Sequence, residues 1–378
     1  MATIQYITQI NFGYGTLSLL RAECERVGIT CPLVVTDAGI RAAGLLSEVV
    51  EKLGDLPHAI YDKTPSNPNE GAVREAVECY RRGKHDGIVA VGGGSSIDLA
   101  KGVAVCATHT GALKSFAAIE GGAARITAAT APVVAIPTTA GTGSEVGRGA
   151  ILILDDGRKV GILSPHVVPR SAICDPALTL GLPAKLTAAT GMDAIAHCIE
   201  TFLSPAFNPP ADGIALDGLQ RAWAFIECAT RVPGDRQARL NMMSASMQGA
   251  LAFQKGLGCV HSLSHSLGGL NPALHHGMLN AIFLPAVIEF NSISDSVVAE
   301  KKLKRLAGAM LLNESVSVAD AIRRMNISLG LPGGLAELGV DETLFTRIID
   351  GALKDHSHKT NPREANADDY MMMLQQSL

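Results

Sequence analysis

The chain is poor in aromatic residues: Phe, Trp and Tyr make up 4% of it, so its core must be built from aliphatic side chains. Long runs of one charge are missing too. Formal net charge is -4 and no Lys/Arg tract is present, which excludes the electrostatic footprint of a protein that grips nucleic acid or an anionic membrane. No uncharged apolar stretch reaches the roughly 18 residues that a membrane span needs. The segment MATIQYITQINFGYG lacks the basic start and apolar run of a secretory signal. The cysteines (Cys24, Cys31, Cys79, Cys106, Cys174, Cys198, Cys228 and Cys259) form no CxxC pair and read as reduced, buried thiols of a cytoplasmic protein. Charged residues are only 18% against 47% hydrophobic, which excludes a disordered chain and suits one large or two ordinary domains.

What is present is an alternation. Residues 32–37 (PLVVTD), 58–62 (HAIYD), 87–91 (GIVAV), 132–137 (PVVAIP) and 150–154 (AILIL) read as strands. Helical spacing of apolar residues follows at 38–53, at 69–82 and from about Ser95 onward. Apolar strands alternating with amphipathic helices predict a parallel sheet covered on both faces. Beyond about residue 183 strand signals fade, and helical patterns at 185–203, 212–230, 236–253 and 296–311 take over. GLP at 181–183 marks the boundary. The expected fold is an α/β domain over 1–180 and an all-α domain over 181–378.

A glycine-rich segment, Gly92 to Asp98 (GGGSSID), sits between an apolar strand and a helix. Glycines let backbone approach a ligand closely, and a helix N-terminus offers N–H groups to an anion. The pattern points to the pyrophosphate of a dinucleotide. It is not the GxGxxG fingerprint, and a tight strand–helix turn with Ser95 or Ser96 as its cap would look the same. Thr138, Thr139 and Thr142, in PTTAGTGSE after the next strand, offer hydroxyls to phosphate, ribose or amide; a Ser/Thr-rich turn is the other reading of the same segment. Asp37 ends the first clear strand. A carboxylate there accepts from a ribose diol and repels a 2′-phosphate, which favours NAD over NADP; it also suits a helix N-cap.

Asp193 and His197 lie four apart in TAATGMDAIAHCIE, on one face of a helix. His261 and His265 repeat the spacing in VHSLSHSLGG, and His275 and His276 precede Gly277. One Asp and three His form an adequate set for a divalent catalytic metal with an open position. A buried, hydrogen-bonded polar cluster is the other reading of the same residues.

Together these segments resemble the iron-containing (group III) alcohol dehydrogenases. The resemblance runs through FGYG, VVTD, GGGSSID at 92–98, PTTAGTGSEV at 137–146, KVGILSPHVVPRSAICDP at 159–176, GMDAIAHCIE at 191–200, GLGCVHSLSHSLGG at 256–269, HGMLNAIFLP at 276–285 and TNPR at 360–363. It implies the architecture shared with dehydroquinate synthase: an N-terminal dinucleotide domain and a C-terminal domain for metal and substrate. It implies metal ligands at Asp193, His197 and His261, and a fourth at His276, where GMLNA keeps the family register; His275 is the alternative. His265 becomes a candidate proton relay and Asp98 a residue near the substrate end. Gly93, Gly94, Ser95, Thr138, Thr139, Thr142 and Lys159 match cofactor positions, with Asn67 and Asp37 on the adenosine side. The partners implied are a small alcohol or aldehyde and a second copy of the chain, with no nucleic acid and no membrane.

The expected reaction is metal-dependent hydride transfer between a primary alcohol or hydroxy acid, or its aldehyde or semialdehyde, and NAD(H). Asp/His ligands suit Fe(II) and Zn(II); zinc binds more tightly on intrinsic grounds, and the resemblance favours iron. A metal-independent reductase of the maleylacetate type would depart from the ligand motif, which is intact here. A lyase like dehydroquinate synthase would show Glu in place of Asp193 and several cations for a phosphate. Lys255 and Arg148 are candidates for a substrate carboxylate, or ordinary surface charges.

Overall fold

The computed structural model describes Ile4, Tyr6 and residues 8–378. Eight strands run through the first half: β1 (Gln9–Phe12), β2 (Pro32–Val35), β3 (Ala59–Tyr61), β4 (Gly87–Gly92), β5 (Val133–Pro137), β6 (Gly149–Ile153), β7 (Lys159–Leu163) and β8 (Ser171–Cys174). Six of them form one sheet in the order β1-β8-β5-β4-β2-β3, with every pairing parallel. Strands β2, β4, β5 and β8 are buried throughout, as a sheet covered on both faces requires. Alternate side chains feed two cores. Leu33, Val35, Ile88, Ala90, Val133 and Ala135 face one; Val34, Val89, Val91, Val134, Ile136 and Ile173 face the other.

The structure departs from the sequence reading in two kinds of place. AILIL does not extend the parallel sheet: β6 pairs antiparallel with β7 as a separate ribbon. The helices expected at 38–53 and 296–311 are each two helices. Helix α1 (Leu20–Arg26) precedes the first pair, α2 (Ala38–Ala42) and α3 (Leu45–Leu53), which is broken by Gly44 at φ +81°. Helices α4 (Glu70–Arg82) and α5 (Gly94–Thr108) then flank β4.

Helices dominate after residue 181: α6 (Ala184–Leu203), α7 (Pro209–Arg231), α8 (Arg236–Ala252), α9 (Cys259–Leu270), α10 (His276–Asn291), α11 (Asp295–Ala299), α12 (Lys302–Ala309), α13 (Val318–Ser328), α14 (Phe345–Ala352) and α15 (Ala367–Gln376). The break between α11 and α12 falls at Lys301, whose φ is +51°. Backbone contacts divide the chain into two compact units. One holds Thr8–Thr139 and Gly143–Gly181; the other holds Ala140–Thr142 and Leu182–Leu378.

In the helical unit, α6 is buried on nearly all sides between α7, α8 and α10, so it is a core helix rather than an amphipathic surface one. Its contact with α10 is close at Gly277, where an added Cβ would stand 2.2 Å from the carbonyl oxygen of Ala189. Backbone cannot yield as a side-chain tip can. Gly277→Ala is therefore expected to destabilise the fold by about 3 kcal/mol, at the upper end of overpacking effects. A denaturant titration checks this, and an unchanged midpoint would contradict it.

Candidate active site

Steps of four and then three residues put Asp193, His197 and Glu200 on one face of α6. Helix α9 brings His261 and His265 to the same place, and the first turn of α10 brings His276. The Nε2 atoms of His197, His261 and His276 lie 3.9, 3.9 and 3.7 Å from one oxygen, Asp193 Oδ1. The His197 ring stacks on His261 with centroids 4.6 Å apart, and Phe253 packs edge-on against it at 5.3 Å. His275 stands just outside α10 as its N-cap residue.

The chemistry of this donor set suits a cation. Asn280, one turn after His276, aims its amide nitrogen into the cluster. Its Nδ2 lies 2.7 Å from Asp193 Oδ1, 3.1 Å from His276 Nε2 and 3.2 Å from His261 Nε2. Three acceptors thus converge on one point. Asp193, His197 and His261 alone could hold a metal ion, each offering one ligand atom within 4.8 Å of the others.

Glu200 fixes His261. Its Oε2 meets His261 Nδ1 in a short hydrogen bond, and its Oε1 accepts the backbone N–H of Val260 at 2.8 Å. Burial pushes the Glu200 carboxyl up to about 8 and holds His261 well below the usual imidazole value. The two compete for one proton. Asn280 Nδ2 donating to His261 Nε2 places that proton on Nδ1, so Nε2 presents a lone pair on the ligand side.

The N-terminus of α9 is closed from elsewhere in the unit. Asn361, in TNPR, accepts from Cys259 N at 3.2 Å, and Arg363 lies over the Phe290 ring at 4.0 Å. The same segment carries Asp355, whose Oδ2 takes His265 Nδ1 at 3.0 Å. Burial would raise the Asp355 carboxyl; His265 and His356 beside it outweigh burial and hold it well below the usual carboxylate range. An ionised Asp355 keeps the His265 proton on Nδ1 and leaves Nε2 as the basic atom.

The α/β unit carries the first loop and part of the second. Gly92 has φ +144°, and an added Cβ would stand 2.6 Å from Ser96 Oγ. Helix α5 starts after Gly93, and no side chain caps it. Ser95 and Ser96 lie inside its first turn instead: Ser95 Oγ donates to Ser66 O at 2.5 Å, and Ser96 Oγ donates to Asp37 Oδ2 at 2.9 Å. Among the described residues no side chain is seen to cap the start of α5, which suits an anion site. Gly93 and Thr139 adjoin, with 3.3 Å between an added Cβ and Thr139 Oγ1. Thr138 is buried and its hydroxyl has no partner among the described residues. Asn67 Oδ1 accepts from Lys159 Nζ at 2.9 Å. Asp37 caps α2, accepting from Ile40 N at 3.0 Å. Thr142, half-buried in the second loop, clusters with the helical unit.

Three expectations meet different surroundings. Asp98 is buried, with Oδ1 taking Ser144 Oγ at 2.5 Å and Oδ2 taking the N–H of Ile151 in β6 at 2.9 Å. Lys101, driven down to about 8 by burial, donates to the same Ser144 and to the carbonyls of Gly147 and Gly149. Lys255 is neither at the surface nor open to a ligand: it is buried and paired with Asp212 at 2.5 Å. Arg148 is exposed.

Comparisons with known proteins give the family. The family model described as "Iron-containing alcohol dehydrogenase" matches residues 8–176, and that of the "Fe-containing alcohol dehydrogenase family, C-terminal" matches residues 187–378. The chain belongs to the iron-containing alcohol dehydrogenase family. It is 61% identical over 382 residues to a 4-hydroxybutyrate dehydrogenase of Cupriavidus necator, covering 100% of both chains. A solved 1,3-propanediol oxidoreductase superposes with a TM-score of 0.92 at 35% identity, again over 100% of both. A sulfoacetaldehyde reductase from Bifidobacterium kashiwanohense, solved in complex with NAD+, gives 0.89 at 25% identity, covering 100% of this chain and 98% of that one. The chain is an oxidoreductase acting on alcohols, and neither the metal-free reductase nor the lyase reading is favoured.

Proposed function

We propose that this dehydrogenase interconverts an ω-hydroxy acid of about four carbons and its semialdehyde with NAD(H). The observation that carries the substrate class is full-length identity of 61% to a 4-hydroxybutyrate dehydrogenase. Asp193, His197, His261 and His276 hold a divalent metal, with Fe(II) favoured by the family and Zn(II) able to use the same ligands. Such a metal supplies Lewis acidity toward the substrate oxygen, and NAD supplies the hydride acceptor.

The chain's own residues do the rest. Glu200 keeps His261 in the tautomer that presents Nε2. His265, aligned by Asp355, takes the hydroxyl proton at Nε2 during oxidation and returns it during reduction. Gly93, Gly94 and Ser95 at the start of α5 seat the pyrophosphate, with Thr138, Thr139, Thr142 and Lys159 completing the cofactor contacts. Asn67 and Asp37 serve the adenosine side, and Asp37 selects against a 2′-phosphate. Asp98, with both oxygens bonded inside the fold, anchors the β6–β7 ribbon and takes no part in the chemistry. Residues 1–180 form the dinucleotide domain and 181–378 the metal and substrate domain. The enzyme works as a cytoplasmic homodimer.

Initial rates on iron-loaded enzyme test this reading. The kcat/KM for 4-hydroxybutyrate with NAD is expected to exceed that for 1-butanol by about tenfold or more, the scale set by one polar contact. Equal values for the two alcohols would contradict the substrate assignment.

A further inference from the structure

Beside the four-residue ligand set lies a second cluster, His265, Asp355 and His356. The proposed chemistry uses His265 and Asp355 and leaves His356 over. Asp355 Oδ2 faces His356 Nδ1 at 3.5 Å, and Asp355 Oδ1 accepts the N–H of Ser357 at 2.8 Å. Among the three, His356 is the open one. Its side chain is 25% exposed, against 6% for Asp355 and 5% for His265. Its ring stacks on His265 at 5.6 Å and 21°, and His265 stacks on His276 at 5.4 Å and 11°. The three imidazoles form one wall that begins at His276 and ends at His356.

We propose that His356 receives the carboxylate of the substrate and so selects ω-hydroxy acids over plain alcohols; this rests on the hydroxy-acid reading given above. With Nδ1 turned to Asp355, the Nε2 edge of His356 is the one that meets a ligand. Burial would lower its pKa, but Asp355 outweighs burial and raises it, which favours the imidazolium. Nε2–H then donates a charge-assisted hydrogen bond to a carboxylate. Asp355 stands on the opposite edge of the ring, its oxygens engaged by His265, His356 and Ser357. The His265 ring stacks against the face of His356. A four-carbon ω-hydroxy acid places its hydroxyl about 6 Å from its carboxylate oxygens, and a hydrogen bond adds about 3 Å. That reach is of the same scale as two ring steps of 5.4 and 5.6 Å along the wall.

The test compares succinate semialdehyde with butanal, of equal chain length, in NADH oxidation by iron-loaded enzyme. In His356→Gln the KM for succinate semialdehyde rises about tenfold to a hundredfold, as loss of a charged hydrogen bond implies. The KM for butanal changes far less, any change in kcat that comes through Asp355 and His265 falls on both aldehydes alike, and His356→Lys recovers most of the lost affinity. A wild-type preference for succinate semialdehyde that persists in His356→Gln overturns the assignment of His356 alone. KM values for both aldehydes rising together also overturn it, because the effect is then structural. A wild-type enzyme with no preference between the two removes the hydroxy-acid reading itself, and this inference with it.

Discussion

His197→Ala is expected to lose bound metal and activity together while keeping its fold. Lewis-acid stabilisation of a developing alkoxide amounts to several kcal/mol, so kcat/KM should fall by about a thousandfold or more. His197 is the cleanest of the four ligand positions to remove. Among the described residues its Nδ1 has no hydrogen-bond partner, so its loss strands no other buried group there. His261→Ala would also leave the buried Glu200 carboxyl without its imidazole, mixing lost chemistry with lost stability. Metal analysis and far-UV circular dichroism of the same sample separate the two effects. A His197→Ala protein that retains both stoichiometric metal and wild-type turnover would show that the cluster is structural.

His265→Ala is expected to behave differently: metal content stays at the wild-type value and kcat falls by about 10² to 10⁴, the range for removing a positioned acid–base group. Its Nδ1 bond to Asp355 fixes the reactive tautomer, so Asp355→Asn should lower kcat in the same direction without loss of metal. The decisive comparison is metal content against kcat within one preparation. Loss of metal in His265→Ala would make His265 a ligand or a ligand's support, and the relay role would fall.

How far these residues were legible in the sequence depends on where their partners lie. Asp193 and His197 announce themselves because one helix carries both, four residues apart. Glu200 is on that same face at the next step, but a glutamate within a helix ordinarily reads as a solvated charge; only the fold shows it buried against His261. Asn280 could have been found by the same four-residue step from His276. Asp355 and His356 had no such signal, since the chain separates them from His265 by about ninety residues and no periodicity spans that gap.

The fold followed the same logic. The apolar strands β2, β4 and β5 and the helices flanking them were visible because a parallel sheet buried on both faces writes continuous hydrophobic runs. Strand β8, SAIC, was too short and too weakly apolar to stand out, although it lies in the interior of the sheet between β1 and β5. AILIL has the composition of a sheet strand, and nothing local says that its partner is β7. Asp98 shows the limit most clearly. The resemblance put it near the substrate end, whereas Ser144 and the Ile151 N–H, both from later segments, engage it inside the fold.

The central claim is that Asp193, His197, His261 and His276 hold a metal on which turnover depends. The direct measurement is to strip the purified enzyme with chelator and titrate it with Fe(II) under anaerobic conditions, following metal bound per chain and NADH oxidation together. The account predicts negligible turnover in the stripped protein and recovery that saturates at one equivalent of metal per chain. Full activity in metal-free protein would contradict it.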